Sequence, residues 1–334
     1  KQVDALLLQE GITRDANLYY ICGMDDEDYN IIATGSCFGS TLRCFAVDQS
    51  HQGEGLLNEI ISHLIQFQYE RGNFHLFLYT KINTARFFND LGFYEIARVN
   101  DKLVFMENRK DGFSAYLRKL QKESEGFGPA DDAAAIVMNA NPFTLGHLHL
   151  VRQAATSHQL LHLFMVSEDA SLVPYAVRKR LIMEGCSEFS NIVFHDSGPY
   201  IISSATFPSY FLKDAADVIE SHARLDIAVF ARIAEALSIR TRYVGEEPTS
   251  LVTGSYNHVM TQELPAAGCS CVVIPRLTDG KAPISASTVR TMIQTGQFDA
   301  LKVLVPESTL KFFMSKEALP VIESIRNAGD VVHY

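Results

Sequence analysis

The chain has 334 residues, of which 47% are hydrophobic, and a formal net charge of −10. Its length exceeds one average domain, and the apolar share without a long polar tract predicts two packed domains. The acidic balance argues against duplex nucleic acid as the main partner, because that partner calls for a basic face.

Residues 18–22, 29–34, 36–38 and 42–47 are short apolar runs separated by turn residues, which predicts the strands of a small antiparallel meander. Asp48-Gln-Ser-His-Gln-Gly-Glu-Gly55 follows as a glycine-bearing turn. It meets a predicted helix over residues 56–71, whose Leu57, Ile60, Ile61, Leu64, Ile65 and Phe67 share one face. Residues 74–80 read as a strand, 82–91 as a short helix ending at Gly92-Phe93, and 94–105 as a hairpin.

That order resembles the GNAT superfamily of acetyl-CoA-dependent N-acetyltransferases. Gln52-Gly-Glu-Gly55 matches part of its Gln/Arg-x-x-Gly-x-Gly/Ala loop, and Asn83-x-Ala85 with Leu91-Gly-Phe93 matches a later motif. The resemblance implies an α+β domain over residues 1–110 that holds a CoA-like thiol arm, with backbone N–H groups on its diphosphate. Gln52, Gly53, Glu54, Gly55 and Asn83 are the arm-binding candidates. Two residues depart from the pattern: Leu57 stands where a small residue closes the loop, and Phe88 where many members carry a tyrosine as general acid. Phenylalanine has no proton to donate, so this domain is expected to bind the arm and not to catalyse transfer.

Residues 111–132 are predicted as a helix, carrying Phe113-Ser-Ala-Tyr-Leu-Arg-Lys-Leu120, and then a hinge. From residue 133 the pattern alternates. Strands are predicted at 133–138, 160–166, 192–195, 241–244 and 271–274, with helices at 146–157, 175–189, 226–237 and 256–264 and from Ser285. Residues 225–230 also fit a strand, but Phe230, Ile233, Ala234 and Leu237 keep helical spacing. Such alternation predicts an α/β domain with a parallel sheet wound by helices.

Asn139-Ala-Asn-Pro-Phe-Thr-Leu-Gly-His147 lies between the first of these strands and its helix. Pro142 fixes a backbone angle, Gly146 permits close approach of a ligand, and His147 falls in the first helical turn, where N–H groups and the dipole favour a phosphate. Thr144-x-Gly146-His147 resembles the (His/Thr)-x-Gly-His signature of the nucleotidyltransferase superfamily, and Ile284-Ser-Ala-Ser-Thr-Val-Arg290 its second signature. The resemblance implies a Rossmann-like doubly wound domain over residues 133–334 that attacks the α-phosphate of a nucleoside triphosphate. His147 would stabilise the pentavalent phosphate, Thr144 would orient it, and Arg290 with the Ser287 and Thr288 amides would hold pyrophosphate. Asn139, Ala140, Asn141, Pro142, Phe143, Gly146 and Ser285 complete the two signatures as nucleotide-binding candidates.

Together with Tyr200-Ile-Ile-Ser-Ser-Ala-Thr-Phe-Pro-Ser-Tyr-Phe-Leu-Lys-Asp214 and Val244-Gly-Glu-Glu-Pro248, these stretches resemble the citrate lyase ligase family over essentially the whole chain. That family implies acetylation of the phosphoribosyl-dephospho-CoA thiol on the acyl carrier subunit of citrate lyase. ATP and acetate are consumed through acetyl-adenylate, AMP and pyrophosphate leave, and Mg²⁺ is the expected charge partner. Related adenylyltransferases carry a lysine past the second strand, where this chain has Ser167-Glu168-Asp169. Arg178, Lys179, Arg180 or Lys213 would supply the charge, with Arg178 preferred because it lies in a helix opened by Pro174. Gly245 would line the adenosine or acetate pocket at the sheet edge, and Ser203, Ser204 and Thr206 either cap the next helix or touch acetate.

Two alternatives stay open on the residues alone. One is a pantetheine-phosphate or nucleotide adenylyltransferase with an accessory CoA-binding module. The other is a CoA-binding regulatory or protein-acetylating module whose nucleotidyltransferase half has lapsed. Cys22, Cys37, Cys44, Cys186, Cys269 and Cys271 form neither a C-x-x-C pair nor a spaced ligand set, so no zinc site or disulfide framework is expected. No apolar run approaches about 20 residues and the first residues lack a signal pattern, so the expectation is a cytoplasmic protein that binds no membrane.

Overall fold

The computed structural model describes the chain apart from residues 100, 101, 129, 202–206, 209, 211, 213, 247–250, 279, 281 and 329–334, and apart from the side chains of 215 and 251–253. The expectations for Ser203, Ser204, Thr206, Lys213 and Pro248 therefore lie outside the described residues. The chain divides into two units, residues 1–115 with 206–228 and residues 116–205 with 229–334.

The first unit is built on six strands, β1 (Tyr20–Asp25), β2 (Ile31–Phe38), β3 (Thr41–Val47), β4 (Phe77–Thr80), β5 (Tyr94–Val99) and β6 (Leu103–Glu107). Their order is β1-β2-β3-β4-β6-β5, antiparallel except for the β3–β4 pair. The helix Leu56–Glu70 lays Ile60, Ile61 and Leu64 into a core shared with Leu42, Leu78 and Val104. β2 runs unbroken through Gly35, where the sequence pattern predicted a break between two strands. A Cβ on Gly35 would stand 2.5 Å from Ile60 Cγ2, so this glycine admits the helix to the sheet and is no turn.

The β3–β4 ladder holds only Thr41 against Phe77 and Leu42 against Leu78, although both strands continue. Cys44 turns into the left-handed region at φ +53° within β3. Tyr210 packs with Cys44 and Ala46, and its hydroxyl donates to the Tyr79 carbonyl of β4 at 3.3 Å. The Thr13 amide in turn donates to the Tyr210 carbonyl at 2.7 Å. Tyr210 thus occupies backbone that a longer parallel ladder would have paired. The helix Gln2–Gln9, which the sequence pattern did not reveal, buries Leu6 and Leu7 in the same cluster.

The second unit carries five strands, β7 (Ala133–Met138), β8 (Leu160–Met165), β9 (Ile192–Asp196), β10 (Ile239–Gly245) and β11 (Ser270–Ile274). All pair in parallel, in the order β11-β10-β7-β8-β9. The chain starts in the middle at β7, winds outward to β9 and returns to the other side at β10, so the winding reverses between β7 and β10. β7 and β8 are almost continuously apolar because helices cover both faces. On one face the helices Leu145–Ser157, Tyr175–Gly185 and Ala286–Gln294 bury Val151, Ile182 and Val289 against the sheet. On the other, Phe164 of β8 meets Phe230 edge-on at 6.3 Å between ring centroids. Phe230 belongs to the helix Ala215–Leu237, longer at its start than the apolar spacing predicted. The helices Glu307–Phe313 and Leu319–Asn327, absent from the sequence reading, add Phe312, Phe313 and Ile325 to the first face. Among the described residues no helix is long and apolar enough to cross a membrane.

Candidate active site

The site grows from the turn between β7 and the helix Leu145–Ser157. Thr144 caps that helix in extended conformation, and its hydroxyl accepts from the His147 amide at 3.3 Å. The Thr144 amide donates back to His147 Nδ1 at 3.1 Å, and the Thr144 hydroxyl lies 2.9 Å from the same nitrogen. An amide can only donate, so Nδ1 carries a lone pair and the neutral ring holds its hydrogen on Nε2. Burial, with a smaller push from the Arg276 guanidinium, pulls His147 down to about 4. At neutral pH the residue is therefore an uncharged N–H donor of fixed tautomer, with Phe143 stacked beside it at 5.9 Å.

The other side chains of the turn point into the protein. The Asn139 amide group donates to Ser171 at 3.0 Å, and its carbonyl oxygen accepts from Arg178 at 2.8 Å. Asn141 Oδ1 accepts from the Val173 amide at 3.0 Å, and the bond from Asn141 to Pro142 is cis. Phe143 is fully buried and its carbonyl accepts from Thr309 at 3.0 Å. Ala140 is buried with φ +49°. These bonds fix the shape of the turn.

The second signature lies against the first. Ser285 caps the helix Ala286–Gln294 by accepting from the Thr288 amide at 3.1 Å, while its hydroxyl lies 2.8 Å from those of both Ser287 and Thr288. A Cβ on Gly146 would stand 2.9 Å from the Ile284 carbonyl oxygen. Sequence reasoning gave Gly146 to a ligand; the structure gives it to the seam between the two signatures. Arg290 closes the same seam, since its Nη1 donates to the Asn141 carbonyl at 2.6 Å. Arg290 is buried, which lowers its pKa from the ordinary value.

Two helix N-termini thus flank the C-terminal ends of β7 and β10, the crevice where open α/β sheets take ligands. Gly245 ends β10 there, with nothing within 4 Å of a Cβ built on it. Sequence reasoning missed Arg276, which follows β11 in no recognisable motif. Its Nε donates to the Glu246 carbonyl at 2.7 Å and its Nη1 to the Ile284 carbonyl at 3.2 Å. These bonds hold a guanidinium close enough for His147 to feel its charge.

Arg178 has a different task from the one its position suggested. It is 0% exposed, and its guanidinium donates to the carbonyls of Val173, Asn139, Val166 and Glu168 at 2.7–3.0 Å. It clamps the loops that leave β7 and β8, and burial leaves it no face to offer a phosphate. Arg180 pairs with Glu317 at 2.8 Å. Lys179 reaches Asp196 at the end of β9 at 2.7 Å, and Tyr175 donates to the same carboxylate. Burial opposes the ionised form of Asp196, but the Lys179 and Tyr175 bonds outweigh it and hold its pKa below the ordinary value.

In the first unit the turn after β3 is open. Gly53 and Gly55 stand at φ +95° and +85° with nothing within 4 Å of a built Cβ, and Gly55 begins the helix Leu56–Glu70. Gln52 and Glu54 are exposed, and Glu54 pairs with His51 at 3.1 Å. Asn83 is exposed in the first turn of the helix Ile82–Asp90. Leu57, in the place of the small residue, packs partly buried against the core. Phe88 is 3% exposed, in contact with Phe45 and Phe93 as part of that core.

The citrate lyase ligase C-terminal domain family matches residues 133–313. The citrate (pro-3S)-lyase ligase of Klebsiella pneumoniae is 38% identical over 320 residues, which cover 93% of this chain and 92% of that protein. Its counterpart from Escherichia coli strain K12 is 37% identical over 294 residues, 86% of this chain and 83% of that one. A GNAT-family acetyltransferase structure from Staphylococcus aureus Mu50 aligns with 32% of this chain and 92% of its own, at 15% identity and a TM-score of 0.28. With 37–38% identity to these relatives over most of its length, the chain belongs to the citrate lyase ligase family.

Proposed function

We propose that the chain activates acetate with ATP and passes the acetyl group to the phosphoribosyl-dephospho-CoA thiol on the acyl carrier subunit of citrate lyase. The observation that carries this reading is the neutral His147, its Nε2–H fixed by Thr144, at a crevice with two helix N-termini and Arg276. An acetate oxygen attacks the α-phosphorus, the bond to the bridging oxygen breaks, and pyrophosphate leaves acetyl-adenylate behind. His147 donates a hydrogen bond to an α-phosphate oxygen as negative charge builds on it. Arg276 and the amides of the second helix start hold the departing pyrophosphate. Arg290 acts through the turn that it fastens.

The arm's thiolate then attacks the acetyl carbon, the C–O bond to AMP breaks, and AMP leaves. The first unit holds the diphosphate of the arm on the turn amides around Gly53 and Gly55. Phe88 in its core supplies no proton, so both chemical steps are assigned to the second unit. Mg²⁺ accompanies the triphosphate as its counter-ion. Mg²⁺ of this kind is held chiefly by phosphate oxygens and water, and among the described residues no group of three His, Cys, Asp or Glu side chains forms a cage for it. Acetate-dependent ATP–pyrophosphate exchange by the full chain tests the reading. Exchange that proceeds equally without acetate, or AMP transfer onto a pantetheine phosphate, would replace it with an adenylyltransferase.

A further inference from the structure

An in-line displacement needs the attacking acid and the departing pyrophosphate on opposite sides of the α-phosphorus. The second signature and Arg276 reach His147 from the side of β10 and β11, because Arg276 follows β11 and its Nη1 holds the Ile284 carbonyl that lies against Gly146. The acid, and afterwards the thiol that attacks the acetyl group, therefore come from the side of β8 and β9. Asp196 ends β9 there, in register with Met165 and Met138 at the ends of β8 and β7. Two strand spacings put it about 10 Å from the start of the first signature turn.

Asp196 is held from several directions. Its Oδ1 accepts from Lys179 Nζ at 2.7 Å and from the Tyr175 hydroxyl, two donors one turn apart on the helix Tyr175–Gly185. Its backbone carbonyl accepts from the Tyr116 hydroxyl at 3.2 Å, and the Ser197 amide donates to the Met165 carbonyl at 3.0 Å. An ordinary surface ion pair has no such supports and contributes little. The carboxylate is nevertheless half used. Both donors converge on Oδ1, and among the described residues Oδ2 accepts no hydrogen bond, while 33% of the side chain stays exposed. Beside Lys179 the carboxylate has no net charge with which to draw a cation, and a second carboxylate would face it as an acceptor against an acceptor. The group that fits Oδ2 is a neutral N–H donor.

We infer that Asp196 selects the thiol, its Oδ2 accepting the amide N–H that stands one ethylene link from the sulfur in a CoA-type arm. Lys179 and Tyr175 orient the carboxylate for that bond. The inference rests on the second half-reaction proposed above and names the residue on the second unit that grips the arm's reactive end.

Two small thiols of the same shape isolate the bond. N-acetylcysteamine carries the amide, and mercaptoethyl acetate has an ester oxygen in place of the N–H. Each is supplied to the full chain with ATP and acetate, and kcat/KM for thioester formation is measured. The readout is the amide-to-ester ratio compared between wild type and variant, in which the intrinsic reactivity of each thiol cancels. The wild-type ratio is expected to exceed that of Asp196→Ala about tenfold, near the lower end for a hydrogen bond to a charged group. Asp196→Asn, which keeps the shape and drops the charge, should retain about threefold of it. A purely structural Asp196 would lower both thiols alike and leave the ratio unmoved, which overturns the inference; so does exchange that proceeds while neither thiol is acetylated. A wild type without acetate-dependent pyrophosphate exchange fails earlier, at acetate activation, and takes this inference with it.

Discussion

Two glycine-bearing turns, residues 48–55 in the first unit and 139–147 in the second, carry the chain from a strand into a helix, and both were read as anion cradles. They are built in opposite ways. In the second, side chains point inward to fixed partners, and Gly146 is needed because another backbone lies against it. In the first, the glycines are needed for their left-handed angles, and the space above them is empty. A pre-organised turn suits stabilisation of a transient charge, since no reorganisation is left to be done when the charge appears. An open turn suits a group that arrives and leaves.

His147→Ala should have the largest effect on the contrast. Acetate-dependent pyrophosphate exchange is expected to fall on the order of 10²–10³-fold in a folded protein, the usual loss for one transition-state donor. Near-normal exchange would show that the turn's rigidity serves packing alone. The same residue predicts a pH dependence of stability. Its pKa is depressed from the ordinary 6.5 to about 4, so the unfolded chain binds the extra proton first. His147 therefore favours the fold fully above pH 6.5 and progressively less as pH falls towards 4. The Ala variant should lose that part of the acid sensitivity, measured by denaturant melts at pH 7 and pH 4.5.

Arg290→Ala comes next, because it opens the seam between the signatures. Loss of its 2.6 Å bond to the Asn141 carbonyl should reduce stability by about 1.5–3 kcal/mol and slow exchange. Arg290→Lys should recover part of both, since a lysine can reach one carbonyl but lacks the fork. Unchanged melting and exchange would detach Arg290 from the site. Gly146→Ala probes the seam more gently: its Cβ would press on the Ile284 carbonyl, with about 1–3 kcal/mol of overpacking and a smaller loss of exchange. If Gly146→Ala melts and exchanges like the wild type, the contact is looser than the geometry implies.

What the sequence made legible was local. β7 to the helix Leu145–Ser157, and the cap at Ser285, are strand–turn–helix patterns written in neighbouring residues, and they were found with nearly the observed boundaries. What stayed hidden depends on distant partners. Gly35 looked like a turn because Ile60 is 25 positions away. Arg178 looked like a free cation at a helix start because its four carbonyl acceptors come from two loops and its own approach segment. Arg276 carries no motif, and its importance arises only when β10 and the second signature meet around it. The place of Tyr210 against β3 and β4 joins residues more than a hundred positions apart. Periodicity has no access to such pairings.

The last prediction separates the two turns by what each leaves untouched. A Gly53→Val, Gly55→Val pair puts β-branched side chains at φ +95° and +85°, a region only glycine enters readily, and places bulk over the amides that would meet a diphosphate. The turn lies in the first unit, so the second, to which adenylation is assigned in the proposal, is unchanged in composition. Acetate-dependent pyrophosphate exchange should therefore persist at the wild-type rate. Acetylation of the carrier thiol should fall, because only the second half-reaction requires the arm to be held. Stopped-time assays of exchange and of carrier acetylation on the same preparation distinguish the cases. Loss of transfer with exchange intact supports the division of labour. If both half-reactions continue undiminished, the open turn does not hold the arm. If the variant stays folded and both half-reactions fail together, the arm-binding and adenylating functions are not separable along the chain as proposed.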